Sequence, residues 1–204
     1  MALSISQTAT GTDYEIIEEG IHKATCVKVI DVGSHPNPFN DGKLQRQVVI
    51  VWEFPEVLME LEKDGITSTV PRVMSKTFTL SLHEKSNLYK TLKGWRGKSF
   101  TPEELKCFDL FTVVGTGCQL QLVHEVSQKD GRTYANIGAI VPLPKADWIT
   151  AERVQTYSID DDGLAGVPVD CYPWIVDKLE ASAEIMALRE AGPAIDPAVD
   201  PLPF

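Results

Sequence analysis

The side chains best suited to chemistry in this chain are cations interleaved with aromatic rings. Lys43, Arg46, Arg72, Lys76, Lys129 and Arg132 recur through the middle of the sequence, with Trp52, Phe78 and Tyr134 among them and Phe39 just ahead. Cations along a phosphate backbone and flat rings under bases are what holds single-stranded nucleic acid, each stacked base being worth roughly 1–3 kcal/mol. All ten are therefore expected DNA contacts. Trp52 and Phe78 also suit a core, because interior and exterior faces alternate along a strand. A second cationic group, Lys85, Lys90, Lys93, Arg96 and Lys98 around Tyr89, either extends a positive path or is the solvated face of a helix.

A third feature is the segment carrying Asp196, Asp200, Pro203 and Phe204. An apolar ring with carboxylates beside it suits a small basic-rimmed pocket on a partner protein, and a mobile tether raises its effective concentration. Catalytic patterns are missing. His22, His35, His83 and His124 are isolated, without metal-ligand spacing. Asp160-Asp161-Asp162 reads as a hydrated acidic turn. Gly115-Thr116-Gly117 lacks the Lys-Ser/Thr of a phosphate loop, and no Gly-x-Ser-x-Gly elbow occurs. The expectation is a non-enzyme with no cofactor and no metal. Cys26, Cys107, Cys118 and Cys171 form no CxxC pair and read as scattered reduced thiols.

The net charge of -10 at first argues against nucleic acid, but its distribution does not. Residues 1–19 hold 4 acids and no Lys or Arg, residues 20–148 hold 16 bases and 14 acids, and residues 149–204 hold 3 bases and 11 acids. The middle is free to carry a basic groove. No secretory signal and no run of ~20 apolar residues is evident, so a cytoplasmic protein away from membranes is expected.

The elements that must position these groups follow from pattern. Gly20 to Ser34 is a first strand, with a bulge expected near the doubled pair Val29-Ile30. Residues 35–43 are a loop rich in turn formers. Leu44–Phe54 is the clearest strand, with Val48, Ile50 and Trp52 on one face and Pro55 ending it. Residues 56–69 read as an insertion, and Val70–Leu80 as a third strand broken near Pro71. A helix follows. Ser81 and Glu84 have capping-box spacing, Leu88, Leu92 and Trp95 make its apolar stripe, and Gly94 and Gly97 can end it. Thr101-Pro102 starts a short second helix. Cys118–Val126 and Thr133–Val141 are the last two strands, joined by the Asp130-Gly131 turn. Tyr172–Ala191 is a helix expected to dock on the strands.

Five strands with a helix between the third and fourth predict a mainly-β, OB-fold barrel. The domain reading is an arm at 1–19, the barrel at 20–148, an acidic helical extension at 149–191 and a disordered partner-binding tail at 192–204. Residues 77–144, through SLHEKSNLYKTLKGWRGKSFTPEEL, GCQLQLVHE and GRTYANIGAIVPLP, resemble bacteriophage-encoded single-stranded DNA-binding proteins of the OB-fold type. The final Asp200-Pro201-Leu202-Pro203-Phe204 is similar to the acidic Asp-Ile-Pro-Phe tip of bacterial single-stranded DNA-binding proteins, with fewer acids and Leu for Ile. The resemblance implies a protein that coats single-stranded DNA in phage-type replication or recombination, in the host cytoplasm. It also implies a tail that recruits replication and recombination proteins and competes with DNA for the groove. A homo-oligomer is compatible with this. The alternative is an adaptor or structural phage component that uses the barrel to hold another protein.

Overall fold

The computed structural model describes residues 16–38, 41–63, 65–168 and 171–191. The β-branched and aromatic runs form six strands: β1 (Gly20–Pro36), β2 (Leu44–Lys63), β3 (Ile66–Thr79), β4 (Gly117–Val126), β5 (Thr133–Pro142) and the short β6 (Gln155–Tyr157). Five pair antiparallel in the order β3-β2-β1-β4-β5. On one edge β1 meets β2. On the other, Gly20–Thr25 pairs with β4, and Lys28–Ile30 then pairs parallel with β6.

The irregularities of β1 fall between Cys26 and Lys28 and between Asp31 and Gly33, not at Val29-Ile30. Val29 and Ile30 stay in register with Ile50 and Val49. The doubled apolar pair has a different cause: both faces of the strand are covered, so consecutive residues are both buried. Pro55 does not end β2 either. The β2–β3 ladder shifts register between Phe54 and Leu58, opposite Arg72 and Pro71, and then resumes to a turn at Gly65, whose φ of 75° favours glycine. Both prolines sit at this irregularity, where a missing N–H is tolerated. Residues 56–69 are thus the outer half of one long hairpin rather than an insertion.

Helix α1 (Asn87–Arg96) buries Leu88, Tyr89, Leu92 and Trp95. Its cap is Ser86, whose hydroxyl accepts from the Tyr89 N–H at 3.1 Å, so the Ser81–Glu84 box is not formed. The reciprocal box occurs later. Thr101 Oγ1 accepts from the Glu104 N–H at 3.2 Å, and Glu104 accepts from the Thr101 N–H at 2.8 Å, opening the single turn α2 (Glu104–Cys107). Gly97, at φ 66°, ends α1. Gly94 lies inside the helix, where an added Cβ would stand 2.7 Å from the Ile140 carbonyl oxygen on β5. α1 packs against both β5 and β3, the two outer strands of the sheet.

After β6 come α3 (Ile159–Asp162), α4 (Pro173–Glu180) and α5 (Ala183–Ala191). The acidic Asp160–Asp162 run is therefore helical, and the expected helix over 172–191 is two, with Ser182 at the break accepting from the Ile185 N–H. The sheet separates two cores. One holds Val48, Ile50, Trp52, Phe54, Phe78 and the apolar stripe of α1. The other holds Val27, Ile30, Val49 and Val51 under Tyr157, Ile159, Ile175, Leu179 and Ile185. The protein is a mainly-β domain with a helix between its third and fourth strands and helices at the C-terminal end of the described chain.

Candidate nucleic-acid interface

Two of the expected base platforms are core residues. Trp52 is 0 % exposed and Phe78 2 %, so neither ring offers a face to a base. Trp52 instead meets Phe78 edge-on at 6.4 Å between centroids and Trp95 at 5.8 Å. The alternation that placed Trp52 on one face with Val48 and Ile50 is correct, and that face points inward.

Arg46 is also committed elsewhere. Its Nε and Nη2 donate to the Asp31 carboxylate, and its Nη1 lies 2.8 Å from Asp160. Asp31, itself buried, also accepts from the Gly33 and Ile159 N–H groups at 3.0 and 3.2 Å. The hydrogen bond to Asp31 holds the guanidinium proton well above its ordinary range, against the opposing effect of burial. The fork that would grip a phosphate is filled by two carboxylates. Arg46 joins β1, β2 and the start of α3, and its expected role as a DNA contact is corrected to a structural one.

The remaining candidates among the described residues sit on exposed or half-exposed positions. Lys43 precedes β2 in the β1–β2 loop, which is closed by Asn37 N–H to Lys43 C=O at 3.0 Å and Gly42 N–H to Asn37 C=O at 3.1 Å. Arg72 and Lys76 lie on β3 opposite Phe54 and Ile50. Lys76 Nζ is 5.9 Å from the Phe78 ring centre and 3.5 Å from the Ile137 carbonyl, so one side chain spans from β3 to β5. Lys129 and Arg132 occupy the β4–β5 turn. Asp130 organises that turn by accepting from the Tyr134 hydroxyl at 2.6 Å and the Arg132 N–H at 3.2 Å. The Tyr134 hydrogen bond, then Ser127 and Arg132, draw the Asp130 carboxyl down to about 2. Tyr134 is 44 % exposed, and its ring is fixed by this bond. The turn is thus a pre-set constellation of two cations and one aromatic ring. Phe39 and the segment with Asp196, Asp200, Pro203 and Phe204 lie outside the described residues.

The rest of the described surface shows no constellation for bond-breaking chemistry. No three His, Cys, Asp or Glu side chains among the described residues converge to hold a metal ion. His22, His35 and His124 each pair with a backbone carbonyl. Cys26 and Cys118 are buried, and burial pushes both thiols far up, away from the nucleophilic thiolate. No helix among the described residues is long and apolar enough to cross a membrane. Comparison with protein families, with curated proteins and with solved structures finds no match to this chain.

Proposed function

We propose that this protein binds single-stranded DNA without catalysis, on an OB-type barrel. The observation that carries the reading is the strand order β3-β2-β1-β4-β5 with α1 packed on both outer strands. That is the order of an OB barrel opened between its third and fifth strands, and Lys76 spans the same gap. OB folds take oligonucleotides over strands two and three, between the β1–β2 and β4–β5 loops. In this chain those loops carry Lys43, Lys129 and Arg132, Tyr134 stands at the start of β5, and β3 carries Arg72 and Lys76. The contacting set is therefore these six, with Phe39 as a seventh from the β1–β2 loop. Binding is sequence-tolerant, since cations read phosphate and a ring stacks on any base. The segment with Asp196, Asp200, Pro203 and Phe204 recruits replication and recombination proteins.

Fluorescence anisotropy of a labelled oligothymidine, titrated at several salt concentrations against a duplex competitor, tests this. Replacing Lys43, Lys129 and Arg132 together by Ala removes three phosphate contacts. It should flatten the slope of log K against log salt by about 2, at roughly 0.7 per contact. An unchanged affinity and slope would remove the assignment. The adaptor alternative is favoured by one observation: the outer β2–β3 hairpin leaves Leu58 57 %, Leu61 40 % and Ile66 70 % exposed, a surface suited to another protein. Absence of oligothymidine binding even at low salt would make that reading the leading one.

A further inference from the structure

Between the C-terminal half of α1, the short 3-10 helix Leu110–Val113, the start of β4 and the 3-10 turn Lys145–Asp147 just after β5 lies a cavity of about 390 Å³. Trp95, Trp148, Phe108 and Leu143 line it, and its two cations are Arg96 and Lys145. We propose that this cavity is a nucleotide subsite, holding one base against the Trp148 ring and the adjoining phosphate against Lys145. The inference deepens the single-strand reading and rests on it.

The rings are fixed in advance. The Trp95 indole N–H donates to the Gly117 carbonyl at 3.1 Å, and the Trp148 indole N–H to the Leu143 carbonyl at 2.9 Å. With both polar edges satisfied, what each indole offers a ligand is its apolar body. Trp148 also lies directly on the backbone of β4: a Cβ on Gly117 would stand 2.6 Å from its Cδ1. Lys145 Nζ is 5.9 Å from the Trp148 ring centre. Pre-set rings lose little freedom on binding.

Arg96 is held flat, with its guanidinium carbon 4.3 Å from the Phe100 ring centre and 5.5 Å from that of Phe108. Nη2 pairs with Glu104, while Nη1 is buried and has no hydrogen-bond partner among the described residues. Thr112 and Thr116 also line the cavity. Their hydroxyls each donate at 2.6 Å to a backbone carbonyl, of Asp109 and Val113, so their oxygens can only accept from a ligand. The cavity thus combines flat apolar walls, cations and acceptors. A nucleotide supplies the complement of all three, as π face, phosphate and base N–H donors. An acidic peptide satisfies the cations with carboxylates and the threonines with backbone N–H groups, but only a nucleotide brings a flat π face in every residue of the ligand. The volume is at the small end for ligand sites, enough for one nucleotide.

The cavity touches Gly117 and Pro142, the end of the β4–β5 hairpin away from Lys129 and Arg132. Nine residue steps of strand separate Gly117 from Val126, roughly 30 Å. A DNA strand that engages both ends covers more nucleotides than one held by the turn alone.

The experiment is a titration of the full chain with deoxycytidine monophosphate, then with an oligodeoxycytidine, followed by the indole N–H signals of Trp52, Trp95, Trp148 and Trp174. The expected result is that the Trp95 and Trp148 signals shift while the other two stay. Lys145→Glu, an exposed substitution whose fold is checked by circular dichroism, should weaken both ligands roughly tenfold, and Trp148→Leu should do the same. Immobile Trp95 and Trp148 signals with both ligands would overturn the proposal. So would a response to a synthetic peptide of residues 196–204 with none to the nucleotide, which would make the cavity a peptide pocket. An oligonucleotide that binds Lys145→Glu at full strength, but is weakened by the Lys43, Lys129 and Arg132 triple variant, would overturn the subsite and leave the DNA function standing. If no form binds the oligonucleotide, the function falls, and the mononucleotide response alone decides the cavity.

Discussion

At the scale of single residues, Asp31 ties three elements of the fold together. One buried carboxylate receives Arg46 from β2 and the backbone of Gly33 and Ile159. Replacing it with Ala would leave a half-buried guanidinium held only by Asp160, with two backbone donors unmade. Loss of one partner from such a pair costs about 3–5 kcal/mol when buried, and exposure of Arg46 places this case near the lower end. Urea unfolding of Asp31→Ala should show a loss of about 3 kcal/mol; a loss under 1 kcal/mol would mean the network is decorative. Glu53 makes the opposite case. Burial, and then the nearby Glu152 carboxylate, raise its pKa. A carboxyl raised on folding destabilises the protein once ionised. Glu53→Gln should therefore raise Tm at neutral pH, and the advantage should vanish as pH falls through the raised value toward the ordinary glutamate range. A Tm gain that persisted at acid pH would point to packing instead. Neither residue was legible in advance, because both effects come from partners far away in sequence. Arg46 reads as a free cation in isolation, and only folding brings Asp31 and Asp160 to it.

At the scale of elements, local signals that involve neighbouring residues were readable and those that depend on coverage were not. The stripe Leu88, Leu92 and Trp95 is the buried face of α1, and Asp130-Gly131 is a hairpin turn. Val49 and Val51 lie in a run that is apolar at every position, which fits a strand covered on one face or on both. Coverage by α4 and α5 decides it. Pro55 looked like a stop, but a register shift absorbs it. The Arg96–Trp148 cavity was missed because Arg96 reads as a solvated helix cation, and Lys145 and Trp148 fall after the last strand. Gly94 tests how α1 meets the sheet. In an isolated helix, Gly→Ala gains about 1 kcal/mol. Here the new Cβ meets a backbone oxygen at 2.7 Å, and overpacking costs about 1–3 kcal/mol. Gly94→Ala should be destabilising on balance, seen as a lower urea midpoint. A stabilised variant would show that α1 rides loosely on β5.

At the scale of the whole molecule, the two cores share their central strands. Val27, Ile30, Val49 and Val51 face α4, α5 and β6 from the same strands whose other side holds Val29, Ile50 and Trp52. A chain cut after Trp148 would expose the β1 and β2 residues of that second face. Each fully uncovered Val or Ile side chain forfeits about 1.5–3 kcal/mol. Four such residues give roughly 6–12 kcal/mol, comparable to the whole stability of a domain. Glu184 adds a polar tie: burial would raise its pKa, but hydrogen bonds from the Ser34 N–H and hydroxyl bring it below the ordinary value, so this contact holds above that value and is lost as pH falls through the lowered one. The charge distribution follows the same division, since the helices over the second face belong to the acidic segment 149–204. Docked acidic helices on β1 and β2 leave nucleic acid the loops and β3, which is where Lys43, Arg72, Lys76, Lys129 and Arg132 lie. The expected outcome is that residues 1–148 alone are insoluble or molten. In the full chain, near-ultraviolet and far-ultraviolet signals should lose structure in one coincident transition. A truncated chain that stays monomeric, with a sharp transition of its own, would show that the extension is a separable unit, and the exposed apolar face of β1 and β2 would then need another partner.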